Sequence, residues 1–369
     1  MKKNSITILL LCIALLITGC GINAEKAPAA KADFPCKIYI CGELHHMDIF
    51  WDKELELWDN FYKMGARHLF LELSYATVVG LNEFMKSDTD GISESSEFYE
   101  LSHYFTFDKE ANYFYFTIKE KYPETIFHSI DIAHDYEYLS ADYKNILERN
   151  GKADTEDYQI LCENIEQGRI VAELDASGDE ASGWNYREEY MFQNFVREYE
   201  AIKGEFVMAI VGGAHANENI TTAAFGGHGD NGRGEDTLIT RIKSKYDSVI
   251  GKFAIWNDPV STEKMTVAGK EYDAVYYGSL ASTVDFLFPS ARIAKIDAWW
   301  LKNAYEDFSS KPTNYYLSFD QYRLPMEIKA NEVYVLDITY QNGETERKYY
   351  LSSGKIADGS LCINPFDLE

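Results

Sequence analysis

Two short segments place a histidine three residues after a glycine, and each follows an apolar run of strand length. The segments are residues 42–46 (GELHH) and residues 212–215 (GGAH). Glycine permits a positive φ and close approach of the backbone, and histidine titrates close to neutral pH. His45 and His215 are therefore candidates for a general base or a ligand just beyond a strand end.

Three acidic residues occupy comparable positions. Glu43 lies inside the first segment, Glu72 lies near the end of the apolar run at residues 68–73, and Asp131 lies near the end of the run at residues 126–132. An ionised side chain in such a run is costly unless it faces a polar site or a partner. Histidines and carboxylates at one edge could deprotonate a water, with histidine as base and a carboxylate orienting it.

Other interpretations of these residues stay open. His45 and His215, with a carboxylate oxygen, could hold a divalent metal. Arg187, at the start of a predicted helix, could pair with a carboxylate or clamp a substrate anion. Glu72 could instead form a buried salt bridge with Arg187, because ion-pair networks imitate active sites.

The sequence contains six other histidines. His46 follows His45 directly, and neighbours on an extended chain face opposite sides. Five others are interpreted as capping or core residues: His68, His103, His128, His134 and His228.

Alternating strands and helices must position these side chains. Five apolar runs predict strands at residues 37–41, 68–73, 126–132, 206–211 and 249–256. Helical patterns separate them at residues 50–63, 78–85, 112–121, 141–149, 155–174 and 186–203. This alternation predicts an α/β fold with a mainly parallel central sheet flanked by helices. Ligands of such sheets bind outside the carboxyl ends of the strands, so the two histidine segments should face one cleft.

The C-terminal part has a different pattern. Residues 332–340 and 345–351 alternate and flank Asn342-Gly343, which is a strong hairpin signal. We expect a small antiparallel β extension at residues 261–369, after an α/β domain at residues 34–260. The glycine-rich residues 226–234 (GGHGDNGRG) are interpreted as a loop or lid, because no strand leads into them and no Lys-Ser/Thr pair follows.

The first residues have the pattern of a bacterial lipoprotein signal. Two lysines precede an apolar run at residues 6–17, which is too short to span a bilayer. Residues 17–20 (ITGC) have the lipobox form, in which Cys20 takes the lipid. We expect a signal peptide at residues 1–19, a flexible stalk at residues 20–33, and a domain anchored by acyl chains to the extracytoplasmic face of the cell membrane.

Composition limits the partners. The net charge of −25 argues against nucleic acid, because binding phosphates requires clustered cations. The 27 tyrosines are expected half-buried at surfaces or lining a cleft. Cys36 and Cys41 would lie on opposite faces of one strand and should not pair, whereas a bridge from Cys36 to Cys162 or Cys362 is open.

Five segments in order resemble the erythromycin esterase/ChaN/Tiki superfamily. They are residues 42–46 (GELHH), Glu72 in LELS, Asp131 in SIDI, residues 186–194 (YREEYMFQN) and residues 210–215 (IVGGAH). The resemblance covers residues 37–216. That superfamily includes esterases that open macrolide lactones, haem-binding iron-uptake lipoproteins and metal-dependent Tiki peptidases.

The resemblance implies roles in two registers. The haem-uptake and Tiki-like register selects His45 and implies contact with metal or haem, whereas the esterase register selects His46 and implies a water-activating base. The helix with Arg187 and Asn194 resembles the one that precedes the last histidine strand in esterases and ChaN-like proteins. His215 follows a Tiki-like Gly-x-x-His pattern, without the asparagine usual before it in esterases.

The sequence thus favours a membrane-tethered hydrolase that cleaves an ester or amide of a small-molecule or peptide substrate. The alternative is a lipoprotein that binds haem or another ligand without turnover, with tyrosines lining its cleft; a scaffold with a vestigial site is a third interpretation. The predicted catalytic residues are Glu43, His45, His46, Glu72, Arg187 and His215.

Overall fold

A computed structural model gives the fold of part of the chain. It describes residues 34–45, 48–105, 109, 112–218, 236–280, 292–313, 319–320, 324–354, 356–357 and 360–368. Some of the predictions above concern residues outside these ranges, and they stay predictions. These residues are the signal peptide, Cys20, the stalk, His46 and the loop at residues 226–234.

The central sheet is parallel and has five strands, as the sequence predicts. Its strands are β1 (Ile38–Glu43), β2 (His68–Leu71), β3 (Ile126–Ser129), β4 (Val207–Gly212) and β5 (Val249–Phe253). Their order is β3-β2-β4-β1-β5, and every neighbouring pair is parallel. The α/β class is therefore confirmed.

The strand order reverses between β1 and β4. From β1 the chain moves to β2 and β3 on one side, whereas from β4 it moves to β5 on the other side of β1. Connections that leave two neighbouring strands in opposite directions open a crevice at their carboxyl ends. Glu43 and Gly212 are the last residues of these two strands and lie at this crevice.

Helices and the 3₁₀ turn at Tyr99–Tyr104 connect the strands. The helices are α1 (Asp48–Met64), α2 (Tyr75–Lys86), α3 (Tyr113–Lys121), α4 (Leu139–Arg149), α5 (Glu156–Ala176), α6 (Glu180–Ala201), α7 (Leu238–Lys245) and α8 (Tyr305–Phe308). Helix α6 begins earlier than predicted, because the Asp179 side chain accepts the Ser182 N–H and caps its first turn. The added turns carry Trp184 toward the site.

Each face of the parallel sheet packs against a different set of elements. In β1, Tyr39 and Cys41 belong to a core with Trp58 of α1, whereas Ile38 and Ile40 belong to a core with helices α6 and α7. This alternation follows from the two-residue period of a strand. Both faces of β1 are thus buried, and its polar groups are confined to its carboxyl end.

Within the described residues, the C-terminal part forms an antiparallel sheet of eight strands. They are β6 (Ser261–Val267), β7 (Lys270–Leu280), β8 (Ile293–Leu301), β9 (Phe319–Asp320), β10 (Glu332–Tyr340), β11 (Thr345–Ser352), β12 (Ile356–Ala357) and β13 (Ser360–Phe366). The predicted hairpin is β10–β11, and Gly343 in its turn has φ +85°. The sheet is larger than this hairpin, because β6 begins with four exposed polar residues that hide its alternation.

This second sheet shares a core with the first. Ile296 of β8 and Tyr334 of β10 are buried in the same apolar cluster as Phe253 of β5. Cys36 forms no disulfide in the structure, so neither bridge considered for it is present. Within the described ranges, no helix is both long and apolar enough to cross a membrane.

Candidate active site

The carboxyl ends of four parallel strands bring the predicted acidic residues together. Glu43 ends β1, Glu72 directly follows β2, and Asp131 lies just after β3. Gly212 ends β4, which lies between β1 and β2. The sheet geometry therefore concentrates three carboxylates at one edge, and cationic groups are needed to offset their charge.

His45 is held between two of these carboxylates. Its Nδ1 lies 2.7 Å from Glu43 Oε1, and its Nε2 makes an ion-pair contact of 3.7 Å with Glu72 Oε1. The side chain is half exposed. Hydrogen bonding to Glu43 and Glu72 outweighs partial burial and raises the pKa of His45 to about 10. The imidazolium form is thus favoured at neutral pH.

Gly212 is required by the close approach of these groups. Its N–H donates to Glu72 Oε2 at 2.5 Å, which fixes the carboxylate against the end of β4. A Cβ at this position would lie 2.8 Å from His45 Nε2. Any larger residue would displace the imidazole, so the glycine has a steric role here.

Arg187 from α6 joins two of the carboxylates. Its Nη2 donates to Glu72 Oε1 at 2.6 Å and to Asp131 Oδ2 at 2.7 Å, and its Nε donates to Asp131 Oδ1 at 3.0 Å. Burial opposes ionisation of Asp131, but the guanidinium charge prevails and lowers its pKa. The salt bridge considered between Glu72 and Arg187 is therefore present, within a larger network.

His215 lies on the buried side of this network. Its Nε2 is 3.3 Å from Glu72 Oε1, and its Nδ1 is 2.5 Å from Glu188 Oε1. The Trp184 indole stacks on the ring, with the centroids 4.8 Å apart. Burial lowers the pKa of His215, but the charges of Glu72 and Glu188 outweigh it and raise the pKa to about 10. Burial likewise opposes the low pKa of Glu72, and the charge of His215 prevails.

Glu188 is a site residue that the sequence interpretation did not assign. It is fully buried, and its Oε2 accepts the N–H of Leu238, the first residue of α7, at 2.5 Å. The one available signal was its place beside Arg187 in a helix. Glu188 therefore links His215 to the start of α7.

His134 also lies at the site, contrary to its interpretation as a capping or core residue. Its Nε2 is 3.2 Å from Asp131 Oδ2, and its side chain is 61% exposed. The ring lies on the solvent side of Asp131. His128, by contrast, is largely buried and contacts His68 Nδ1 at 2.9 Å, away from these carboxylates.

A cavity of about 270 Å³ opens beside His45 and Glu72. Helix α1 contributes Trp51 and Glu54 to its wall, and α3 contributes Phe114 and Tyr115. The wall thus combines aromatic surface with carboxyl groups. Such a mixture is typical of small-molecule sites, in which a few polar groups orient a mainly apolar ligand.

The donor atoms at this edge do not fit a metal site. Both histidines approach Glu72 Oε1, but Arg187 donates to the same oxygen, so a cationic group is already bound there. In the part of the chain that the structure describes, no group of three or more His, Cys, Asp or Glu could hold a metal ion. These residues therefore do not assemble the metal site considered for His45 and His215.

Comparisons with known proteins give one match. No protein-family model matches the chain, and no curated protein matches it. Among solved structures, a mutant of the erythromycin esterase EreC in its open conformation is similar, with a TM-score of 0.41 and 10% sequence identity. The similarity covers 72% of this chain and 82% of that chain.

Removing the guanidinium should destabilise the fold. Arg187→Met leaves the carboxylates of Glu72 and Asp131 without their shared cation, and the loss of one partner from such a network costs about 3–5 kcal/mol. Urea unfolding measures this loss. Arg169→Met on α5 is the matched control, because Arg169 pairs with exposed Glu166 and Glu173 and should change stability little. Equal effects of the two substitutions would contradict a buried structural role for Arg187.

The histidines should make stability depend on pH. The pKa of His215 is raised from 6.5 to about 10 in the folded chain, so its contribution is full below about pH 6.5 and is lost as pH rises toward 10. We expect the free energy of unfolding to fall across this range. His215→Gln should flatten the fall, although His45 leaves a residual slope. A slope that His215→Gln does not change would contradict the raised pKa.

Proposed function

We propose that this protein is a hydrolase that activates a water to cleave an ester or amide, with His45 as the base. The observation that supports this function is the position of His45. Its ring lies between Glu43 and Glu72, beside a cavity, at the edge where the order of the strands reverses.

The two ring nitrogens of His45 have different roles. Nδ1–H donates a hydrogen bond to Glu43 Oε1, 2.7 Å away. In the neutral ring this tautomer leaves the lone pair on Nε2, which can accept a proton from water. Glu43 also stabilises the imidazolium that forms. The histidine is thus the base, and the carboxylate is its orienting group.

Glu72, Arg187 and His215 position the reacting groups. Arg187 and His215 hold Glu72 Oε1 from the buried side, and the Gly212 N–H holds Glu72 Oε2. Glu72 therefore keeps a fixed negative charge beside His45 Nε2. A charge fixed before the reaction costs no reorganisation when the imidazolium forms.

The aromatic wall favours a small molecule or a peptide side chain as the substrate group. We also propose that the domain works at the extracytoplasmic face of the cell membrane, anchored through Cys20. Its substrate would then arrive from outside the cytoplasm. The net charge of −25 argues against a nucleic-acid substrate.

Loss of the base should lower turnover strongly without unfolding the chain. We expect His45→Ala to lower kcat by about 10²- to 10⁴-fold on a panel of p-nitrophenyl esters and peptide amides. The kcat/KM of the unaltered protein should rise with pH toward about 10, because only neutral His45 accepts a proton. His103→Ala is the matched control, because His103 is exposed. The hydrogen bond described for its side chain joins it to Glu100 O in its own turn.

Two results would contradict the proposed reaction. One is full activity of His45→Ala on every substrate that the unaltered protein cleaves. The other is absence of hydrolysis together with a haem Soret band that His45→Ala weakens, which would favour ligand binding without turnover. Circular dichroism of each variant separates these outcomes from unfolding.

The anchor has a test of its own. Cys20→Ser should move the protein from the membrane fraction to the soluble extracytoplasmic fraction and abolish incorporation of labelled palmitate. Substituting Cys12, which lies within the predicted signal, is the control and should change neither measurement. Membrane retention and labelling of Cys20→Ser would show that the anchor lies elsewhere.

A further inference from the structure

Glu54 is a buried acid that the reaction above does not use. It lies on α1, is 1% exposed, and lines the same cavity as Glu43 and His45. Glutamate is almost never fully buried unless it is paired. Within the described ranges, no Lys or Arg lines this cavity, and its imidazolium, His45, is held by Glu43 and Glu72.

The partner of Glu54 is another acid. Glu43 and Glu54 line the same cavity, and a side-chain hydrogen bond between the two carboxyls is among the causes that raise the pKa of Glu54. If both are ionised, Glu43 Oε2 and Glu54 Oε1 are left buried without a hydrogen-bond partner among the described residues. Two buried oxygens without donors would be costly, and the two charges would repel each other. One proton on the pair removes both costs.

The surroundings place that proton on Glu54. Burial raises the pKa of Glu54 well above its usual range, and the charge of Glu43 raises it further. Two other titratable groups near Glu54 are the Cys41 thiol on β1 and the Tyr115 hydroxyl on α3, and burial raises the pKa of each. Neither supplies a positive charge. Glu43, by contrast, has a donor of its own, because its Oε1 lies 2.7 Å from His45 Nδ1.

We propose that Glu54 is a neutral carboxylic acid that donates a hydrogen bond to Glu43 Oε2 and acts as a positioning residue for His45. The hydrogen bond orients Glu43 so that Oε1 faces His45 Nδ1, and Nε2 is thereby directed toward Glu72 and the cavity. The role in catalysis rests on the proposed function, but the protonation of Glu54 does not.

Infrared difference spectroscopy tests the proton directly. The full chain in detergent at pH 7 should show the carbonyl band of a protonated carboxylic acid, and Glu54→Gln should remove it. Glu56→Gln is the control, because Glu56 lies on the same helix and is 63% exposed, so the band should persist. A spectrum without the band, or a band that survives Glu54→Gln, would overturn the proposal.

Kinetics tests the positioning role. On the ester that the unaltered chain cleaves best, Glu54→Leu should lower kcat about ten- to a hundredfold, the usual effect of losing a group that orients a catalytic residue. Glutamine retains a hydrogen-bond donor, so the decrease in kcat should be at least tenfold smaller in Glu54→Gln than in Glu54→Leu. Equal losses would mean that Glu54 acts through a negative charge, and the proposal would be wrong.

The infrared and kinetic measurements can contradict the protonation of Glu54 and the proposed function independently of each other. If no ester or amide is cleaved, the proposed function is wrong, but the infrared band still decides whether Glu54 is protonated. If Glu54→Leu does not fold, Glu54→Gln is compared with the unaltered chain in both the infrared band and kcat. A decrease in kcat of more than tenfold in Glu54→Gln would contradict the role of a neutral donor.

Discussion

The carboxylate of Glu72 is the group on which the site depends. It accepts hydrogen bonds from the Gly212 N–H and from Arg187, and both His45 and His215 approach it. A buried carboxylate would be costly alone, so the cations around it are a condition for its presence. Three strand ends and helix α6 must therefore pack together correctly before this edge of the sheet is stable.

This dependence explains why catalytic and structural roles overlap here. Arg187 joins the ends of β2 and β3 through Glu72 and Asp131, and Glu188 on the same helix joins His215 to the start of α7. Helix α6 thus supplies both a cation and an anion to the network. His45 lies on the side of Glu72 that is open to the cavity, and its ring is more exposed than that of His215.

The sequence predicted the parts of this arrangement that follow from strand periodicity. Apolar runs located the five strands of the parallel sheet, and a polar residue at the end of a buried run singled out Glu72 and Asp131. Pairings between distant segments could not be found in this way. Glu54 and Glu188 look like ordinary helix acids in the sequence, and only the fold shows that their side chains are buried. The C-terminal sheet was underestimated because four consecutive exposed polar residues at the start of β6 mask its alternation.

We expect the surrounding carboxylates to hold the two histidines protonated beside Glu72. A ¹⁵N NMR titration of the histidine rings in the full chain tests this most directly, with His45→Gln and His215→Gln used to assign the signals. The account predicts that both rings carry two protons at pH 8 and titrate near pH 10. Rings that titrate near pH 6.5, as free histidine does, would contradict it.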